Sequence, residues 1–148
     1  MDGPQQVREY YNRNTRRFIS LGHGGSQLAI RRAVWAPGVE NRPAAIEYVN
    51  RLIAEDLARV PERDRLPVVD LGCGVGGSIR YLATRLSGTR FVGVTLSDVQ
   101  ADAAAENVVP HRVLRGDIAA VDVWRQIGDV AAAYAIESFL HVPAEVDR

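Results

Sequence analysis

Val68-Val69-Asp70-Leu71-Gly72-Cys73-Gly74-Val75-Gly76-Gly77 is the stretch that decides how this chain is read. A short β-branched run ends in an acid and then in glycines, and Ser78-Ile79-Arg80-Tyr81-Leu82-Ala83 takes up helical spacing at once. The pattern predicts a strand, a tight glycine turn and a helix. Glycines at 72, 74 and 76 permit positive φ and let a ligand come close to the backbone, because no Cβ stands between. The first turn of the new helix offers unpaired N–H groups, which suit anionic or strongly polar ligand atoms. A nucleotide-like ligand at the C-terminal end of a parallel strand is the reading that follows.

Outward from this stretch, strand and helix signals alternate. Upstream, Asn41 and Pro43 make a helix start, and Ile46, Val49, Ile53, Leu57 and Val60 give that helix one apolar face before Pro61. Glu47–Arg51 and Glu55–Arg59 are spaced as i, i+4 pairs on its wet side. Downstream, a helix over 77–87 is closed by Gly88, and a strand over 90–94 leads into Thr95. Ser97 or Asp98 then caps a helix to about Asn107. His111 to Arg115 reads as a third strand ending in Gly116-Asp117-Ile118, and a short connector carries Trp124. Asp129 to Ala135 reads as a fourth, fully apolar strand suited to the centre of a sheet. This rhythm of βαβ units predicts an α/β, Rossmann-like parallel sheet with helices on both faces.

The N-terminal part is of a different kind. Residues 1–20 read as a helix with Val7, Tyr10, Tyr11, Phe18 and Ile19 among arginines, which are most simply a solvated face. Gly22-His23-Gly24-Gly25-Ser26 breaks it, and Gln27 to Trp35 reads as a short second helix closed by Pro37-Gly38. No strand precedes the Gly-His-Gly-Gly-Ser run and no lysine follows it, so it is not a phosphate-binding P-loop. The expected division is a helical lid over 1–40 and a nucleotide-binding domain over 41–148.

Bulk properties narrow the function classes. The 148 residues suffice for one domain with a sizeable core, and 18 acids balance 18 bases, all of them arginine. Zero formal net charge gives no footprint for nucleic acid or for an acidic membrane. A single cysteine, Cys73, excludes an internal disulfide and a multi-cysteine metal site, and no metal is expected. No apolar run approaches the length of a membrane span and the N-terminus is polar, so the expected location is the cytoplasm.

Gly72, Gly74 and Gly77 also satisfy the dinucleotide G-x-G-x-x-G pattern, which alone is a weak signal. Asp70 at the strand end would repel phosphates and attract an ammonium group, and Thr95 stands where a dinucleotide site wants an acid. The Asp-x-Gly-x-Gly-x-Gly loop instead resembles the cofactor loop of class I S-adenosylmethionine-dependent methyltransferases. Gly93-Val94-Thr95-Leu96-Ser97, followed by Gln100, is similar to a narrower group, the tocopherol and sterol C-methyltransferases and cyclopropane fatty acid synthases. The resemblance runs from about residue 41 to 148.

It implies a cofactor, S-adenosylmethionine, leaving as S-adenosylhomocysteine, and a set of residues around it. Asp70 would lie near the methionine end, with the loop of Gly72, Cys73, Gly74 and Gly76 passing under the cofactor. Thr95 and Gln100 would share the ribose hydroxyls beside Leu96. Asp117 would accept from the adenine amino group, with Ile118 on the ring; the plain alternative for Asp117 is a turn residue. Ala135 would hold the methionine part, and Tyr11 would cover the cofactor from the N-terminal helix. Ala135-Ile136-Glu137-Ser138, then His141, is similar to the segment after strand four in the tocopherol-type enzymes, which makes Glu137 or His141 the candidate general base. A capping glutamate and an exposed histidine are the plain alternative. The family's acid before that histidine is Leu140 here, which speaks against cyclopropane-type chemistry.

The implied activity is methyl transfer to a small, lipophilic or natural-product acceptor, as in secondary metabolism. The family core has seven strands and this pattern shows four. The expectation is therefore a truncated domain, or one completed by another copy or subunit. The competing readings are a cofactor-binding module inactive on its own and a dinucleotide oxidoreductase.

Overall fold

The structure is a computed structural model of the chain and describes residues 3–21, 28 and 32–139. The elements run α1 (Pro4–Leu21), α2 (Arg42–Leu57), β1 (Val68–Leu71), α3 (Gly77–Ala83), β2 (Phe91–Thr95), α4 (Asp98–Asn107), β3 (Arg112–Arg115), α5 (Val121–Ile127) and β4 (Ala132–Ala135). The four strands form one sheet in the order β3-β2-β1-β4, and each neighbouring pair is parallel. Asp70 stands beside Gly93 on one side and Tyr134 on the other.

Alternation along the strands divides the core into two layers. Val68 and Phe91 face a layer with Ala54 and Leu57 of α2, Ile79 and Leu82 of α3, and Ala104 of α4. Val69, Leu71, Val92 and Val94 face Val123 of α5, with Trp124 and Ile127 beside it. Phe91 and Ile79, both essentially inaccessible, each contribute about 1.5–3 kcal/mol by burial. β1 and β2, buried along their whole length, are the interior strands.

The fold class expected from the sequence is the one observed, with differences in detail. The stretch around Trp124 is a helix, α5, in which the indole Nε1 donates to Ile118 O at 2.8 Å. β4 is shorter than expected and only half-buried, because among the described residues it pairs with β1 alone. α3 ends at Ala83, four residues before the expected end, and Gly88 takes its positive φ in the loop beyond. Asn41 does cap α2, its side chain accepting from Ala44 N at 3.0 Å. On the wet side of α2, Arg51 pairs with Glu55 and Arg59 with Asp56, in place of the two expected pairs. Arg32 to Ala36 carry no regular structure, and the rest of the expected second helix lies outside the described residues, apart from Leu28 in a turn.

Candidate functional site

Parallel strands send their following loops to one edge of the sheet, and a cavity of about 200 Å³ opens there. The turn after β1 forms its floor. Gly72 and Gly74 both have positive φ, +85° and +55°, yet their surroundings differ. A Cβ on Gly74 would meet nothing within 4 Å, so this backbone faces open space that a ligand can approach. A Cβ on Gly72 would stand 2.3 Å from the Ser138 Cβ. Ser138 holds that place because its hydroxyl donates to Leu71 O, at the end of β1. The segment after β4 is thus strapped across the glycine turn, and Glu137, preceding it, takes a left-handed φ of +55° that non-glycine residues seldom adopt.

The second wall follows β2. The Thr95 hydroxyl donates to Gln100 Oε1 at 2.9 Å, and both side chains are buried. Ser97 caps α4 by accepting from Gln100 N at 3.2 Å, which fixes where Gln100 enters the helix. After β3, Asp117 accepts from Ala119 N at 2.9 Å, so it is the turn residue of the plain reading and a cavity residue as well. The third wall is α1, where Pro4, Val7 and Tyr11 share one face of the helix. The Tyr11 hydroxyl titrates above the usual tyrosine value, first because it is half-buried and then because Tyr10 and the Glu137 carboxylate stand near it.

Of the residues singled out from the sequence, Tyr11, Gly72, Gly74, Thr95, Leu96, Gln100, Asp117, Ile118 and Glu137 line this one cavity. Four others do not. Asp70 is buried at the end of β1, where its Oδ2 accepts from the Tyr134 hydroxyl at 3.0 Å. Cys73 is packed into the core with its sulfur toward Gly93, where an added Cβ would sit 2.7 Å from it. Burial, and then the Asp70 charge, push the Cys73 thiol well above its ordinary value. Gly76 packs under α4, since a Cβ there would lie 2.4 Å from Val108 Cγ1. Ala135 ends β4 opposite Leu71, and it is the following Ile136 that reaches the cavity. His141 lies outside the described residues. Sequence reading missed seven lining residues, Pro4 and Ser138 together with Val7, Val94, Ser97, Gly116 and Ile136. The spacing 4, 7, 11 was a usable signal for Pro4, but nothing local marks Ser138 as the partner of Leu71.

Residues 68–148, more than half of the chain, match the methyltransferase domain family. The chain belongs to that family. This methyltransferase-family chain is 40% identical over 80 residues to the chloroplastic tocopherol O-methyltransferase of Arabidopsis thaliana, covering 51% of this chain and 23% of the relative. It is 42% identical over 66 residues to a trans-aconitate 2-methyltransferase of Paracidovorax citrulli, covering 45% of this chain and 25% of the relative. It therefore spans about a quarter of the length of these curated relatives. The crystal structure of magnesium protoporphyrin IX methyltransferase from Synechocystis PCC 6803, solved with bound S-adenosylhomocysteine, matches with a TM-score of 0.65 at 19% identity. That match covers 97% of this chain and 63% of the other, and it shows the shared fold. The chain has the Rossmann-like class I methyltransferase fold expected from its glycine turn. No helix of the described residues is long and apolar enough to cross a membrane.

Proposed function

We propose that this chain binds S-adenosylmethionine in the cavity at the strand ends and takes part in methyl transfer to a small, lipophilic or natural-product acceptor. The observation that carries the proposal is convergence. Gly74, Thr95, Asp117 and Glu137, from the ends of four different strands or the loops that follow them, line one cavity together with Gln100 of α4 in a methyltransferase-family chain.

The donor set fits such a cofactor. Gly74 offers bare backbone to a close ligand. Because the Thr95 proton goes to Gln100 Oε1, Thr95 is left with acceptor lone pairs and Gln100 with its amide donors, a neutral match for ribose hydroxyls. Asp117 supplies a carboxylate acceptor for an amino group, and Ile118 an apolar surface for a ring. Asp70 would act through its charge from within the fold, and the segment through Ala135 and Ile136 would hold the amino-acid end. When bound, the cofactor supplies an activated methyl group on a positively charged sulfur. The protein's part is alignment of the acceptor and exclusion of water. Glu137, in the lining of the cavity and near Tyr11, is the described candidate to take a proton from an acceptor. His141 is the second candidate by sequence. The lid role expected for residues 1–40 fits α1, which supplies Tyr11 over the cavity.

Three methyltransferases similar to this chain are named for three unlike acceptors, so the acceptor class rests on the apolar lining from Pro4, Val7, Leu96 and Ile118. A second reading is favoured by the half-exposed β4 and by the quarter-length span. In it, this chain binds the cofactor, and further chain or a second subunit completes the acceptor site. Titration calorimetry with S-adenosylhomocysteine tests the cofactor site, and transfer of a tritiated methyl group to small-molecule extracts tests the activity. Micromolar binding with transfer supports the first reading; binding without transfer supports the second. A folded chain that binds NAD in preference to the adenosyl ligand overturns both.

A further inference from the structure

The wall that α1 contributes is held from outside the cavity. Among the described residues, α1 packs chiefly on α4, and Val7 and Thr15 are its buried side chains. Pro4, Val7 and Tyr11 face the cavity, whereas Arg8 and Asn12, each one position further along, address the N-terminus of α4. Arg8 donates through Nε and Nη2 to Asp98 Oδ2, at 2.8 and 2.6 Å. Arg115, at the end of β3, donates to the other oxygen, Oδ1, at 2.6 Å. Asn12 donates to Asp98 Oδ2 at 3.2 Å and accepts from the Ser97 hydroxyl at 2.6 Å. That hydroxyl also receives Gln100 N, and Gln100 holds Thr95. A continuous hydrogen-bonded path therefore runs from α1 through the α4 cap to the polar pair of the cavity.

We propose that Asp98 is a positioning residue that latches α1 over the cavity, so that ligand retention depends on an ion-paired contact outside the ligand's reach and weakens with ionic strength. The ligand half of this statement rests on the proposed cofactor site; the latch itself does not. Arg8, Arg115 and Asp98 are partly exposed, which leaves their attraction open to screening by salt. Hydrogen bonds from Arg8, then from Asn12 and Arg115, hold the Asp98 carboxyl down to about 2, below its ordinary 3.8. Among Arg8, Asp98 and Arg115, Asp98 is the group that titrates in acid. Its contribution is complete above about pH 3.8 and is lost as pH falls through about 2, so near neutrality the latch responds to salt and not to pH.

The test compares wild type with Arg8→Gln, Asp98→Asn and the double variant, at about 50 mM and about 1 M NaCl. Trypsin cleavage after Arg13, Arg16 and Arg17 of α1 reads docking without any ligand. The dissociation rate of S-adenosylhomocysteine reads retention. Each single variant is expected to raise both rates about three- to tenfold at low salt, with the double variant no worse than either. Wild type is expected to approach the variants at high salt, and the variants to lose their salt dependence. Asp98 lies in the first turn of α4 and Arg8 does not, so an effect of Asp98→Asn alone would place its role in α4 and overturn the latch. Salt-independent wild-type cleavage would also overturn it. If wild type binds no adenosyl ligand, the cofactor reading fails while the tryptic comparison still decides the latch.

Discussion

Two glycines two residues apart should fail in opposite ways when given a methyl group. Both adopt positive φ, and an L-residue there costs about 1–2 kcal/mol, partly offset by about 0.4–1 kcal/mol from a less flexible unfolded chain. At Gly74 the added Cβ meets nothing, so Gly74→Ala should lose no more than about 1.6 kcal/mol of stability. The same methyl projects toward the space assigned to the ligand, and affinity for S-adenosylhomocysteine should fall by at least about tenfold. At Gly72 the Cβ would sit 2.3 Å from Ser138 Cβ, and Ser138 cannot move without giving up its hydrogen bond to Leu71 O. That adds about 1–3 kcal/mol of overpacking and hydrogen-bond loss, so Gly72→Ala should cost about 1–4.6 kcal/mol in total, more than Gly74→Ala by that added amount. Urea unfolding of both variants measures the difference. Combining Gly72→Ala with Ser138→Gly removes the clashing carbon, and the double variant should recover about 1 kcal/mol relative to additivity. Equal destabilisation at the two glycines, or strict additivity with Ser138→Gly, would refute the assignment of one glycine to packing and the other to the ligand.

The remaining expectations concern charge. Asp70→Asn keeps an oxygen that can accept from Tyr134 but removes the charge; the fold should persist while affinity for the cationic cofactor drops about tenfold, by calorimetry. Unaltered affinity would show that Asp70 serves the sheet alone. Glu137→Gln removes one of the influences that raise the Tyr11 hydroxyl, so in NMR spectra of labelled tyrosine its titration should move down while staying above the ordinary value, since burial persists. No movement would separate Glu137 from Tyr11 in solution. Cys73, buried with its thiol pushed well up, should resist a thiol reagent at pH 8 in the folded protein and react once urea unfolds the chain. Fast reaction in the native state would mean that the glycine turn opens readily.

The sequence by itself determined the parts that short-range chemistry writes. A β-branched run, glycines that need positive φ, and cap residues at Asn41 and Ser97 act within a few positions of themselves. β1, the glycine turn, β2 and the start of α4 were therefore legible, and with them the Rossmann-like parallel sheet, while the methyltransferase assignment came from the resemblance of the glycine loop. Thr95 and Gln100 were paired through the resemblance of Gly93-Val94-Thr95-Leu96-Ser97 and Gln100 to a known group, and the structure joins their side chains by a hydrogen bond.

Only the tertiary structure decided what depends on partners far along the chain. Gly72 answers to Ser138, Gly76 to Val108 and Cys73 to the bare backbone of Gly93, so a turn that reads as uniform splits into ligand-facing and core-packing positions. Arg8, most simply a solvated arginine in sequence, is set against a carboxylate 90 residues away by the docking of α1 on α4. The half-burial of β4 follows from its having one neighbour among the described residues, which an apolar run cannot announce. Backbone conformation is a local property of residue type, whereas which side chain fills a given space is fixed only when distant elements pack.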